Sequence, residues 1–479
     1  MIKTNLELIK TSLLEISHLI PNVCKRQWPI FLVEMAGAIG SGKSETVNEL
    51  RKIFNVTEES GKLFEDFGVT YIYEDIVSAK TTSAIRSFYE GGMDGDELEN
   101  IICSTRINNL LTTLRNLSDD RPWLVISDRS IEEDCPFIED LYKKTDDCYT
   151  KVNLQHIKNL IKCFVQQMSR IDSAIVHCVV YLETKPEEAL NRIRKRGRPS
   201  ESQIDIQRLG ELTLPIEDVQ AGTVCSINNT NMSAKYTALI CYMLICQWLE
   251  HFGALDDIPK LLVSFYGVPG VGKTTLMNEV WRELSYCADK IQDRSDEPVM
   301  MEEQRKVYEQ NYDKMSPDKI QNMIDERRLC DYYNVCEYRQ RVGAGARVPL
   351  FFVTDVGPYT SYIFRNVTGC EQNDTYEKET EKYFTRFLNV VVRPKHGDLS
   401  LVVKAIKRRG RPGEISGLNT EYLQRVSDEI DFTMCDVVRV ENDYTQDAKQ
   451  LMTQIVMEAI YDAIVGNRSG LENKRVRRK

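Results

Sequence analysis

Histidine is scarce, with five in 479 residues, and the 14 cysteines include no Cys-x-x-Cys pair. That scarcity and scatter argue against a zinc site and against a disulfide framework, and point to reduced thiols in cytosol or nucleus. Long apolar runs are also missing. The most apolar stretch, Tyr236 to Cys246, is far shorter than the roughly 20 residues that span a bilayer. It reads as a buried helix, and no membrane partner is expected. Positive charge is not in excess either: 62 Lys and Arg stand against 72 Asp and Glu, a formal charge of −10. General coating of nucleic acid needs a cationic surface, so no nucleic-acid partner is expected. A small anion held in a local basic pocket stays compatible. The first twenty residues, MIKTNLELIKTSLLEISHLI, lack a signal peptide's apolar core and cleavage site and read as an amphipathic docking helix.

What is present is a soluble, globular balance, 42% hydrophobic and 28% charged, in a chain long enough for two cores. The chain also repeats itself. An apolar run from Ile30 to Met35 enters Gly37-Ala38-Ile39-Gly40-Ser41-Gly42-Lys43-Ser44, and a helical pattern follows. The same order returns 230 residues later, where Leu261 to Tyr266 enters Gly267-Val268-Pro269-Gly270-Val271-Gly272-Lys273-Thr274. Trp123 to Ser127 before Asp128-Arg129-Ser130 has its partner in Leu350 to Thr354 before Asp355-Val356-Gly357. A third run, Ala174 to Leu182, leads to a basic stretch from Arg192 to Glu201, matched by Asn389 to Val392 and then Ala405 to Glu414. Three landmarks in one order imply a duplicated α/β domain, each copy a parallel sheet flanked by helices. The expected domains are 1–252 and 253–466, joined by a short polar linker between His251 and Lys260, with a basic tail over 467–479.

The glycine-rich strings predict phosphate chemistry. Successive backbone N–H groups must turn inward around an anion, and side chains at Gly37, Gly40 and Gly42 would obstruct its approach. Ser41 completes the loop, Lys43 would reach the β and γ phosphates, and the Ser44 hydroxyl would ligate Mg²⁺. Gly267, Gly270, Val271, Gly272, Lys273 and Thr274 repeat these roles. A phosphate loop alone specifies only a nucleoside triphosphate, ATP in a kinase. The alternate arginines at 192, 194, 196 and 198 add cations suited to charge on a transferred phosphoryl group.

With those residues in place, both halves resemble the deoxynucleoside kinase family, which includes deoxyguanosine, deoxycytidine and thymidine kinases. The resemblance implies two tandem P-loop kinase domains, each with a basic lid. It implies ATP-dependent phosphorylation of a deoxynucleoside at its 5′-hydroxyl, with Mg²⁺. Asp128-Arg129-Ser130 looks like the family's glutamate-arginine-serine motif, so Asp128 would serve the metal and Arg129 the reacting 5′ side of the substrate. Glu74 would take the proton from the 5′-hydroxyl. Arg192 and Arg194 would stabilise the transferred phosphoryl group, and Arg196 and Arg198 would hold the nucleotide. Tyr89 matches the sugar-binding tyrosine, and Glu201 the lid glutamate that contacts the sugar. Glu99 falls where a glutamine normally reads the base; an ionised glutamate offers only acceptors. Arg106 matches a motif arginine seven residues later.

In the second half, Glu297, Tyr312 and Gln321 match substrate contacts, and Asp355 matches the metal-side acid. Val356 and Ala405, however, stand where Arg129 and Arg192 stand in the first. The first half is therefore the expected catalyst. Two alternatives stay open: a nucleoside monophosphate kinase resembling thymidylate kinase, or a second half that binds nucleotide as a regulatory or assembly module. Family members pair through helices, so a homodimer or an intramolecular pseudo-dimer of the two copies is expected, cytoplasmic with a nuclear alternative suggested by the tail.

Overall fold

Eight consecutive buried residues form β1 (Ile30–Gly37), the pattern of a strand covered on both faces of its sheet. In the computed structural model the described residues are 26–59, 67–73, 79–89, 92–169, 175–198, 201, 204–220, 222–252, 261–284, 288–290, 316, 318, 322, 325, 351–355, 357–373, 375–381, 384, 386–409, 419–434 and 437–465. The chain divides into two compact units between Ile245 and Cys246. The expected amino-terminal helix, the linker over 253–260 and the basic tail lie outside the described residues.

In the first unit, β1 leads through the glycine loop to α1 (Lys43–Glu59), and β2 (Gly68–Ile72), α2 (Ala79–Tyr89), α3 (Gly95–Asn116) and β3 (Trp123–Ser127) follow. After a short 3₁₀ turn over Ile131–Asp134 come α4 (Cys135–Lys144), α5 (Cys148–Ser169), β4 (Ile175–Glu183), α6 (Pro186–Arg196), α7 (Ile206–Glu211), β5 (Thr223–Asn228) and α8 (Ala234–His251), whose last residues, from Cys246, lie past the division between the units. The five strands lie in the order β2-β3-β1-β4-β5. All pairs are parallel, with Ile30 level with Trp123 on one side and Ile175 on the other. Parallel neighbours need crossovers, and the intervening helices supply them.

The periodicity of those helices builds the core. Ile107 and Leu111 on α3, and Leu154, Ile157, Ile161 and Phe164 on α5, recur at three- and four-residue spacing and pack with Leu32 and Val125 of the sheet. Each such side chain contributes about 1.5–3 kcal/mol on full burial. The apolar run from Tyr236 lies inside α8, where Tyr242 meets Phe54 edge-on at 5.5 Å. No helix among the described residues is long and apolar enough to cross a membrane.

The second unit contains β6 (Leu261–Tyr266), α9 (Lys273–Glu283), β7 (Ala288–Lys290), β8 (Phe351–Thr354), α10 (Thr360–Thr368), α11 (Thr375–Glu381), β9 (Arg386–Pro394), α12 (Leu399–Arg409), α13 (Thr420–Thr433), β10 (Val438–Asn442) and α14 (Gln446–Ile464). Its strands lie in the order β7-β8-β6-β9-β10 and are also all parallel. Both units are thus parallel sheets flanked by helices, with the glycine loop following the central strand of each.

Candidate active site

The end of β1 sets the site. Gly37 has φ 137°, and a Cβ there would meet the Leu182 carbonyl oxygen of β4 at 2.5 Å. Only glycine lets the chain leave β1 and curl into the loop beneath its neighbour strand. Lys43, the first residue of α1, folds back: its Nζ donates to the carbonyls of Gly37 at 2.6 Å and Ala38 at 3.1 Å. This sets an ammonium and a helix amino-terminus at the same turn, the arrangement that suits a phosphate. The Ser44 hydroxyl donates to Asp128 Oδ2 at 3.3 Å, joining two hard oxygen ligands. Magnesium characteristically takes one or two protein oxygens together with substrate phosphates. The residues present therefore fit Mg·ATP: glycine cradle, lysine, and the Ser44–Asp128 pair.

Glu133 is a site residue that sequence reasoning missed. Its Oε1 accepts from the Gly37 N–H at 2.8 Å and lies 3.2 Å from Lys43 Nζ, while Oε2 lies 3.2 Å from Arg129 Nε. One buried carboxylate thus ties the phosphate loop to Arg129. The signal was present in the acidic triplet Glu132-Glu133-Asp134, separated by one residue from Asp128-Arg129-Ser130; a 3₁₀ turn there brings Arg129 and Glu133, four residues apart, to one side. Asp134 in turn pairs with Arg106 of α3 and accepts from the Cys103 thiol. The Arg129 guanidinium lies 5.6 Å from the Phe137 ring centroid.

A cleft of about 1450 Å³ collects these groups. Gly37, Gly40, Ser41, Gly42, Lys43 and Ser44 line it together with Glu99, Arg106, Arg129, Glu133, Asp134 and the apolar side chains of Phe88, Leu98, Ile102 and Phe137. Arg192, Lys195, Arg196, Arg198 and Glu201 line it as well. Glu201 binds the Arg196 guanidinium at 2.7 Å and lies 3.6 Å from Arg198. Arg192 does not project freely: it donates to the Ser41 carbonyl at 3.1 Å and pairs with Glu188 at 2.7 Å. Arg194 is exposed and lies outside the cleft wall. Residues 192, 195 and 196 share a helix face that 194 does not. Glu74 lies outside the described residues, and Tyr89 is placed only as the last residue of α2.

Behind the loop, Asn229 donates to the Ser41 carbonyl at 2.6 Å, pinning the loop from beyond β5. Deeper still, Glu34 of β1 meets His177 Nε2 at 3.0 Å and accepts from Ser130 at 3.3 Å. Glu132 accepts from the Gln220 N–H at 3.0 Å. Burial, reinforced by Glu34 and Asp218, pushes the Glu132 carboxyl up to about 7, against opposing contributions from the Gln220 hydrogen bond and His177. The folded chain then holds a proton here that the unfolded chain releases above about pH 4.5, so this group's stabilisation fades as pH rises toward 7. Glu132→Gln, which keeps an acceptor for Gln220, is expected to raise Tm over the parent by an amount that grows from about pH 5 to about pH 8. Thermal melts across that range would show it; a constant difference would refute it.

In the second unit, Lys273 Nζ donates to the carbonyls of Gly267 at 2.8 Å and Val268 at 3.1 Å, and Thr274 donates to Asp355. Gly270 and Gly272 hold positive φ, Val271 is buried, and Asn442 donates to the Val271 carbonyl at 2.8 Å. At the spacing that aligns Asp355 with Asp128, Thr360 stands where Glu133 stands. Glu297, Tyr312, Gln321, Val356 and the basic stretch after Arg409 lie outside the described residues. Among the described residues no group of three or more His, Cys, Asp and Glu side chains gathers to hold a metal.

Residues 33–231 match the family model described as deoxynucleoside kinase. No curated protein matches the chain. Among solved structures the chain is similar to a crystal structure described as "putative polyphosphate kinase 2 from Pseudomonas aeruginosa PA01", at 13% identity over 98% of this chain and 96% of that one, with a TM-score of 0.24. The family match over residues 33–231 supports a phosphotransferase acting on nucleosides or nucleotides.

Proposed function

We propose that the first unit transfers the γ-phosphoryl group of ATP to the 5′-hydroxyl of a deoxynucleoside. The observation that carries this reading is that one cleft is lined both by the phosphate loop and by apolar and aromatic side chains, with Glu99 and the Arg106–Asp134 pair on the same wall. Phosphoryl transfer depends on positioning and charge stabilisation rather than covalent chemistry, and a shared cleft provides both.

Bound Mg·ATP supplies the phosphoryl group and a neutralising cation. The chain does the rest. The loop N–H groups from Gly37 to Ser44 and the Lys43 ammonium grip the phosphates, while Ser44 and Asp128 hold the cation. Arg129, seated on Glu133, faces charge at the reacting oxygen, and Glu74 accepts the hydroxyl proton. Arg192 braces the loop through Ser41, and Lys195, Arg196 and Arg198 surround the phosphates. Arg194 is left out of that set. Tyr89 and Glu201 hold the sugar.

The second unit holds nucleotide through Lys273, Thr274 and Asp355 but lacks counterparts of Arg192 and Glu133, with Ala405 and Thr360 at those positions. This favours a nucleotide-binding role with weak or no transfer, in which Glu297, Tyr312 and Gln321 retain a substrate pocket. Mg·ATP-dependent phosphorylation assayed across the four natural deoxynucleosides and their monophosphates tests the reading. Turnover of nucleosides is expected; turnover of monophosphates alone would transfer the chain to the nucleotide kinases.

A further inference from the structure

Glu99 is a buried carboxyl, 4% exposed, in the second turn of α3 and on the wall of the cleft. Its Oε2 has no hydrogen-bond partner among the described residues. A buried polar oxygen left unsatisfied is costly, so its burial against a cleft points to a ligand that brings donors. The cleft wall includes Phe88, Leu98, Ile102 and Phe137. A flat apolar body with N–H groups on its edge, a nucleobase, answers both features.

The charged neighbours are accounted for. Arg106, on the same helix, is paired with Asp134, and Arg129 is paired with Glu133. The Cys103 thiol, pushed well above its usual value by burial, stays neutral and donates to Asp134. Both arginines are engaged by other acids and still favour the ionised Glu99 carboxylate, but by less than burial disfavours it.

We propose that Glu99 reads the acceptor's base, and that its ionised carboxylate selects the guanine edge while its protonated form accepts any base. The inference rests on the nucleoside-acceptor reading of the cleft. An ionised carboxylate offers two acceptors and matches two adjacent donors, as on guanine N1 and N2. Adenine, cytosine and thymine instead set one donor beside one acceptor, which only a carboxyl bearing its proton can match. Guanine also meets the protonated form, through N1 and O6. Raising the pH therefore removes the other bases and spares guanine.

Burial pushes the Glu99 carboxyl up to about 7, against opposing contributions from Arg106 and Arg129, so the switch falls in an accessible range. The protonated fraction of such a group drops about tenfold between about pH 6 and about pH 8. The ratio of kcat/KM for deoxyguanosine over deoxycytidine, measured on the full chain with saturating Mg·ATP, is expected to rise about tenfold over that interval. In Glu99→Gln, which holds one donor and one acceptor at every pH, the ratio should be flat and deoxycytidine should be retained at the upper end.

A flat ratio in the parent chain, or the same slope in Glu99→Gln, would overturn the inference while leaving the kinase reading intact. Absence of turnover with every nucleoside would overturn the kinase reading instead. Calorimetric binding of deoxyguanosine and deoxycytidine at the same pH values then decides the base readout: a tenfold change in their affinity ratio supports it, and an unchanged ratio refutes it.

Discussion

Lys43→Ala is expected to lower kcat/KM for phosphorylation of every nucleoside by about 10²–10³-fold, the usual consequence of removing one preorganised charge-stabilising donor. The ammonium is held in place before substrate arrives by the carbonyls of Gly37 and Ala38 and by Glu133. That preorganisation makes the loss large, because a positioned charge in a cleft costs no reorganisation at the moment of transfer. The fall should appear in kcat as well as KM, since the charge it balances develops during the reaction. Lys273→Ala should produce a smaller fall for each nucleoside. If Lys273→Ala instead removed one nucleoside's turnover as completely as Lys43→Ala removes another's, both units would be catalysts with different substrates. Steady-state assays of the two variants against the four deoxynucleosides separate these outcomes.

Asp325→Ala is expected to destabilise the second unit by about 3–5 kcal/mol, a large part of the roughly 5–15 kcal/mol that holds a domain together. Arg365 is among the most completely buried side chains, 1% exposed, and Asp325 Oδ2 lies 2.8 Å from its Nη2 and 3.2 Å from its Nε. Ser361 donates to the same oxygen at 2.6 Å, and the Glu371 carbonyl takes a further guanidinium bond at 2.7 Å. Removing the acid strands a cation where water cannot solvate it. Replacing both partners, as in Asp325→Leu with Arg365→Met, should recover much of the loss, because the pair's desolvation penalty disappears along with its attraction. Denaturant unfolding of the full chain would measure both; equal losses in the single and double variants would defeat the account. The first unit carries Cys103 and Ile138 in its own α3 and α4 packing and should keep its nucleoside turnover in either variant.

Local signals were legible in the sequence, and long-range ones were not. The runs Leu261 to Tyr266 and Trp123 to Ser127 coincide with strands because a doubly covered strand is an unbroken apolar stretch. The run Asn389 to Val392 is the centre of a longer strand, Arg386–Pro394, whose flanking polar residues lie near the sheet's ends. The phosphate loops were readable because their glycines, lysine and hydroxyl are contiguous. Glu133 and Asn229 were hidden for the opposite reason: they meet the loop from 96 and 188 residues away. The arginines from 192 to 198 fall between these cases. Their composition announced a cationic segment, but only the helical phase of α6 separates Arg192, which braces Ser41, from Arg194, which faces away from the cleft. Glu99 was visible as a departure from a glutamine, yet its burial and its neighbours, which decide what the departure does, exist only in the fold.

The close fit between each glycine loop and the strand beside it limits what either unit can change at that turn. A Cβ at Gly37 would strike the Leu182 carbonyl at 2.5 Å, and one at Gly267 would strike the Val392 carbonyl at the same distance. Both obstacles are backbone atoms, which no compensating side-chain change removes. Side chains elsewhere in either unit can change and still leave this turn intact. At these two positions any first mutational step away from glycine costs the loop itself, so divergence must go around them.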